Sequence, residues 1–259
     1  MGVLIEKRRI NDIPLLEVCQ ENDAEKRLPA VFFIHGFTSA KEHNLHYGYL
    51  LAEKGFRVIL PEVIDHGERN DGKSVEEMTL QFWNMILSTI HELEGLKQYY
   101  VESGKIDEDK IGLAGTSMGA IITLGALSKY EWIQCAASLM GNPCYESFAR
   151  YLVKGAGDRG VEIPYTSEQL EAVYKQLEPF DLSRQPEKLN QRPLFFWHGK
   201  KDPVVPYEFA YRFYEKARDL YVDFPDRLYF LLDEQAEHHV SREGLLRTVS
   251  WFETHLKNA

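Results

Sequence analysis

Positive charge is in deficit in this chain. Thirty lysines and arginines stand against 40 aspartates and glutamates, for a formal net charge of -10 at pH 7. Binding to a phosphate backbone draws on counterion release at clustered Lys and Arg, so this balance argues against nucleic acid as a partner. At long range it disfavours anionic small molecules only mildly. Cysteine is also scarce: Cys19, Cys135 and Cys144 are the three, and no two of them form a C-x-x-C pair. An odd, scattered set does not make a disulfide framework and fits a reducing, cytoplasmic setting. No apolar run reaches the roughly 18 residues that a membrane-spanning helix needs, so no membrane partner is expected. Val3-Leu4-Ile5 is too short for the core of a signal peptide. Internal repeats and low-complexity linkers are absent as well.

What is present is a hydrophobic fraction of 44% over 259 residues. That is enough for one sizeable core, and layered α/β chains of this length commonly form one domain. The first segment alternates apolar and polar residues on both sides of Asn11-Asp12, a turn pair, and so predicts an antiparallel hairpin at a sheet edge. Continuous apolar runs follow at 30–34, 57–60, 111–114, 135–139, 194–197 and 227–232. Such runs suit strands buried on both faces of a parallel sheet. Between them, residues 43–53, 76–102, 118–129, 207–220 and 241–256 space their apolar positions as helices do. The alternation implies an α/β fold: a mostly parallel, eight-stranded sheet flanked by helices. Residues 142–191 interrupt the rhythm, being too long for an ordinary crossover. Their helical pieces, broken by Gly155, Gly157, Gly160, Pro164 and Pro179, predict a small helical cap inserted in the single domain 1–259.

Gly115-Thr116-Ser117-Met118-Gly119 is a G-x-S-x-G pentapeptide between a strand and a helix. That context puts a serine hydroxyl on a sharp, strained turn, and glycines on either side let the turn close. The N–H of Met118, at the helix start, is placed to stabilise a developing oxyanion. Ile34-His35-Gly36-Phe37-Thr38 follows the first buried strand and offers Phe37 N–H as a second donor, with His35 packed beneath.

A serine hydroxyl needs a histidine base held by a carboxylate. In hydrolases built on such an elbow the chain order is Ser, then Asp or Glu, then His. The histidines after Ser117 are His198, His238, His239 and His255. His255 falls in the terminal helix and His198 ends a strand, which leaves His238 and His239 after the last strand. Asp202 leads Asp181, Asp226 and Asp233 as the acid. It follows the strand 194–197 at the end where ligands of open α/β sheets bind, and Pro203 stiffens the next turn.

These motifs resemble the α/β-hydrolase superfamily, in its prolyl-oligopeptidase-like and dienelactone-hydrolase-like branches. The resemblance rests on residues 105–119, on His198-Gly199-Lys200-Lys201-Asp202 with Val204-Val205-Pro206, and on Glu237-His238-His239-Val240-Ser241. It extends to the esterase-like bacillus hydrolases of the YitV type, whose opening is similar to residues 33–42. The Gly-His-x-Val-Ser/Thr base loop of these families places the base on His238, with Glu237 where they carry glycine. The nucleophile is Ser117, where dienelactone hydrolases use cysteine.

The resemblance implies a serine esterase with a Ser117–His238–Asp202 triad and an oxyanion hole at Phe37 and Met118. It would act on a small-molecule ester with no metal or organic cofactor. Phe148, Tyr151 and Val204 are candidate substrate contacts, with Tyr165 a further cap aromatic. A thioesterase or short-peptide hydrolase would use the same triad, and a retired fold would act as a binding module. Asp65-His66-Gly67-Glu68-Arg69 also follows a strand end, and Arg69 there is expected to pair with an acid. The oligomeric state is not legible.

Overall fold

Asn11 and Asp12 both take left-handed backbone conformations, φ 51° and 62°. A two-residue type I′ hairpin requires this of its central pair, and the turn joins β1 (Val3–Ile10) to β2 (Ile13–Gln20) in antiparallel register. β1 is an edge strand whose Glu6, Lys7, Arg8 and Arg9 discourage further pairing. The computed structural model describes residues 2–257.

The chain continues through β3 (Leu28–Ile34), α1 (Leu45–Glu53), β4 (Arg57–Pro61), α2 (Val75–Leu80), α3 (Phe82–Glu102), β5 (Ile106–Thr116) and α4 (Met118–Lys129). Next come β6 (Cys135–Leu139), α5 (Tyr145–Asp158), α6 (Ser167–Leu177), β7 (Leu194–Gly199), α7 (Tyr207–Ala217), β8 (Leu228–Asp233) and α8 (Arg242–Phe252). The eight strands form one sheet in the order β1-β2-β4-β3-β5-β6-β7-β8. β4-β3-β5-β6-β7-β8 are parallel, while β2 meets β4 antiparallel. The expected mostly parallel sheet of eight strands is the observed one.

Burial on both faces explains the apolar runs. In β3, Phe32 and Ile34 pack into a layer with α3, α4 and α7, whereas Val31 and Phe33 pack into the opposite layer with α1 and α8. Successive side chains of a strand alternate between faces, so each run feeds two cores at once. Tyr145, Phe148, Tyr174 and Leu177, from α5 and α6, join the first layer.

The helix expected over 76–102 is in fact two. Ser74 and Glu77 form a capping box that starts α2, and Gln81 (φ -96°, ψ 6°) leaves helical geometry before α3 begins. Neither Gly nor Pro marks the break. It lets Phe82 meet Phe37, at 5.8 Å between ring centroids, and Trp83 meet Tyr145 at 5.2 Å.

Candidate active site

β5 ends at Thr116 and α4 starts at Met118, so Ser117 alone makes the turn, at φ 53° and ψ -116°. A non-glycine residue there is strained, and the surroundings must impose it. Ser117 N–H donates to Leu139 O at 2.8 Å, tying the turn to the end of β6. The motif glycines have steric causes. A β-carbon on Gly115 would lie 2.3 Å from the backbone carbon of Gly119, and one on Gly119 would lie 2.1 Å from Ile34 O.

The chain reaches Ser117 again from the ends of β7 and β8. His238 Nε2 is 2.9 Å from Ser117 Oγ, and its Nδ1 is 2.6 Å from Asp202 Oδ2. His239, next to it, is exposed. The structure therefore brings Ser117, Asp202 and His238 together and leaves His239 outside. Asp202 Oδ1 accepts the N–H groups of Val204 and Val205 at 2.8 and 2.9 Å, which fixes the carboxylate. Burial alone would raise the Asp202 carboxyl. Hydrogen bonds from His198, His238 and Val205 N–H outweigh it and hold the group well below the usual carboxylate range. His198 is a participant that sequence reasoning set aside: its Nε2 donates to Val205 O at 2.8 Å and lies 3.4 Å from Asp202 Oδ2. Its signal was the spacing His198–Asp202 across one strand end. His255 instead packs against Trp251, 4.1 Å between ring centroids with the rings tilted by 44°.

The loop after β3 approaches the same point. A β-carbon on Gly36 would be 3.4 Å from Ser117 Cβ. Among the described residues, the N–H groups of Phe37 and Met118 donate to no other group. Backbone donors that no protein group claims, on a loop this close to a serine, are the kind that can receive an oxyanion. The loop has a buried foundation. His35 Nδ1–H donates to Gly36 O at 2.8 Å and its Nε2 accepts Val63 N–H at 3.0 Å. Lys41 Nζ bonds Glu62 at 2.6 Å and Glu68 at 2.7 Å. Burial opposes the Glu62 charge, but the Lys41 ammonium and the Lys41 N–H, which both donate to the carboxylate, prevail and lower the carboxyl to about 2. Arg69 grips Glu92 of α3 with both Nη atoms, at 2.9 and 2.6 Å, which is the acid pairing expected of it.

The candidate substrate contacts divide. Phe148 is buried, packed against Trp83, Tyr151 and Phe209. Tyr151 and Val204 are exposed. Tyr165 donates to Leu80 O at 3.2 Å, linking the 142–191 segment to α2. No helix among the described residues is long and apolar enough to cross a membrane.

Comparison with known proteins places this geometry in a family. Residues 44–259 match the model of the prolyl oligopeptidase family. The chain is 49% identical over 254 residues to "Putative esterase YitV" of Bacillus subtilis (strain 168), covering 98% of this chain and 100% of that one. It is 31% identical over 255 residues to "Esterase YjfP" of Escherichia coli (strain K12), covering 97% and 99%. Among solved structures, TT1662 from Thermus thermophilus is similar at a TM-score of 0.75 and 20% identity, with 99% of each chain covered. The Pyrococcus furiosus esterase Pf2001 is similar at a TM-score of 0.63 and 19% identity, covering 98% of this chain and 93% of that one. These likenesses bear out the α/β-hydrolase fold.

Proposed function

The chain belongs to the prolyl oligopeptidase family, and we propose that it is a serine hydrolase that cleaves carboxylic esters through an acyl-enzyme. The observation that carries the reading is the continuous contact Ser117 Oγ–His238 Nε2, 2.9 Å, and His238 Nδ1–Asp202 Oδ2, 2.6 Å. His238 takes the Ser117 proton as Oγ bonds to the ester carbonyl carbon. Asp202 holds the imidazole and stabilises the imidazolium that forms. The N–H groups of Phe37 and Met118 receive the tetrahedral oxyanion. Collapse expels the alcohol, which leaves with the proton from His238. Water then gives a proton to His238 and attacks the acyl-enzyme, releasing the acid and restoring Ser117.

Ester substrates are favoured because the two curated relatives are named esterases. Short to medium acyl chains follow from the proposal that residues 142–191 form a cap over the strand ends, with Tyr151 and Val204 beside the acyl group and buried Phe148 backing Tyr151. Aminoacyl amides are a second reading, favoured by the family match and by similarity to the acylaminoacyl peptidase of Pyrococcus horikoshii, at a TM-score of 0.75 and 18% identity over 42% of that chain. The three free cysteines suit a cytoplasmic location.

The test is turnover of p-nitrophenyl esters of graded chain length beside thioesters and aminoacyl amides, for the parent chain and Ser117→Ala. Esters should be cleaved fastest, and Ser117→Ala should abolish turnover and labelling by a fluorophosphonate. Full activity in Ser117→Ala would sink the assignment. A parent chain that neither labels nor turns over any of the panel would mark a binding module instead.

A further inference from the structure

The segment Asp65-His66-Gly67-Glu68-Arg69 contains a histidine that the triad does not use. His66 is 2% exposed, and both of its ring nitrogens are engaged. Nδ1 is 2.9 Å from Ile64 O, which can only accept, so Nδ1 carries the proton. Nε2 is 3.1 Å from the backbone nitrogen of Thr38, which can only donate, so Nε2 presents its lone pair. The two partners thus define one neutral tautomer. Thr38 directly follows Phe37 and sits at φ 60°, a strained conformation for a β-branched residue. The Phe37 ring meets His66 edge-on at 5.7 Å, and the His35 ring lies 5.1 Å away.

We infer that neutral His66 is a positioning residue: by accepting Thr38 N–H and packing against Phe37, it holds the loop that aims the Phe37 N–H at the oxyanion. The inference rests on the proposed role of Phe37 in ester hydrolysis. Its physical content is the tautomer. A protonated imidazole has two N–H groups, so Nε2–H would face Thr38 N–H, and an attraction would become a repulsion. The loop would then lose the anchor that keeps Thr38 in its strained turn. The titratable groups facing His66 are His35, Glu62 and Asp65, with Glu62 held by Lys41 and Asp65 by Lys73 at 2.6 Å each. Burial pushes His66 below the usual histidine value, which favours the neutral ring that the anchor needs; protonation would break it.

Two variants separate positioning from bulk packing. His66→Leu keeps volume and removes the acceptor, whereas His66→Gln can offer an amide oxygen near the place of Nε2 and does not titrate. His66→Leu should lower kcat by about 10- to 100-fold, less than the loss of an oxyanion donor itself, with KM within about two-fold. His66→Gln should recover most of that loss. Hydrogen exchange at Thr38 N–H supplies a readout independent of turnover. Its protection should fall in His66→Leu, persist in His66→Gln, and in the parent chain fall on acidification. Unchanged kcat in His66→Leu, or equal losses in both variants with Thr38 protection intact, would overturn the inference. A parent chain without Ser117-dependent ester turnover would overturn the functional reading instead, and Thr38 exchange would still decide whether His66 holds the loop.

Discussion

Gly119 sits so close to the end of β3 that a β-carbon on it would stand 2.1 Å from the carbonyl oxygen of Ile34. The nucleophile turn and the strand that feeds the oxyanion loop are thus packed backbone to backbone. The glycine is what permits the loop after β3 to come within contact distance of Ser117, where a β-carbon on Gly36 would be 3.4 Å from Ser117 Cβ.

Gly119→Ala is expected to cost more than about 3 kcal/mol, because the obstructing atom belongs to a buried strand and cannot move as a side chain would. The melting temperature should fall by roughly 6–12 °C for a chain of this size. Ester turnover should fall further than the folded fraction does. Thermal unfolding followed by circular dichroism, beside turnover at a temperature where the variant is folded, checks both.

Asp202→Asn should leave the loop standing. The amide oxygen can still accept the N–H groups of Val204 and Val205, which the carboxylate meets at 2.8 and 2.9 Å. Its NH₂ group cannot accept from His238 Nδ1–H, so the imidazole is released from the tautomer that serves Ser117. A drop in kcat of about 10³- to 10⁴-fold is expected with KM little changed, and the melting temperature should fall at pH 7 because the carboxylate charge that His198 and His238 favour is lost. Steady-state kinetics and calorimetry on the same preparation test it.

Glu62 predicts an acid limb to stability. Its carboxyl is lowered from the usual 4.5 to about 2 in the folded chain. A group depressed on folding contributes stability that is present above its unfolded value and lost as pH falls through its folded value. The window is therefore roughly pH 4.5 down to 2, and the contribution is about 3 kcal/mol. Asp202, shifted the same way, adds to the same limb. Glu62→Gln should be less stable than the parent at pH 7, because Lys41 loses its buried partner, and its stability should fall less steeply across that window. Urea unfolding at a series of pH values measures the slope.

Tyr151 tests the proposed cap contact. It is 45% exposed, and its ring stacks on Phe148 with 6.2 Å between centroids. Tyr151→Ala should raise KM for medium-chain p-nitrophenyl esters several-fold more than for the acetate. kcat should hold, as for loss of contacts made equally in ground and transition states. The melting temperature should move by only a few degrees. Equal KM changes across the chain lengths would remove Tyr151 from the acyl site.

Local chemistry makes much of the fold legible in the sequence. The pair Asn11-Asp12 announced its hairpin because few residues tolerate two successive left-handed conformations. The runs at 30–34 and 135–139 announced buried strands because both of their faces are apolar. The break between α2 and α3 was not legible, since no Gly or Pro marks Gln81. The burial of Phe148 was equally hidden, because an aromatic on an amphipathic helix reads alike whether it faces a substrate or a core.

Read by itself, the sequence determined the strand–turn–helix at Ser117, the steric demand for Gly115 and Gly119, and the strand ends from which an acid and a base must come. Those features depend on neighbours a few residues apart, whose geometry is set by backbone sterics. The tertiary structure decided that the His238 ring, and not that of His239, meets Ser117. It also decided that His198 supports Asp202 and that His66 grips Thr38. Such contacts join residues as much as 121 positions apart in the chain. They exist only once β4, β3, β5, β7 and β8 lie in their order across one sheet, because hydrogen bonds near 3 Å require the loops at those strand ends to converge on the same few ångströms of space.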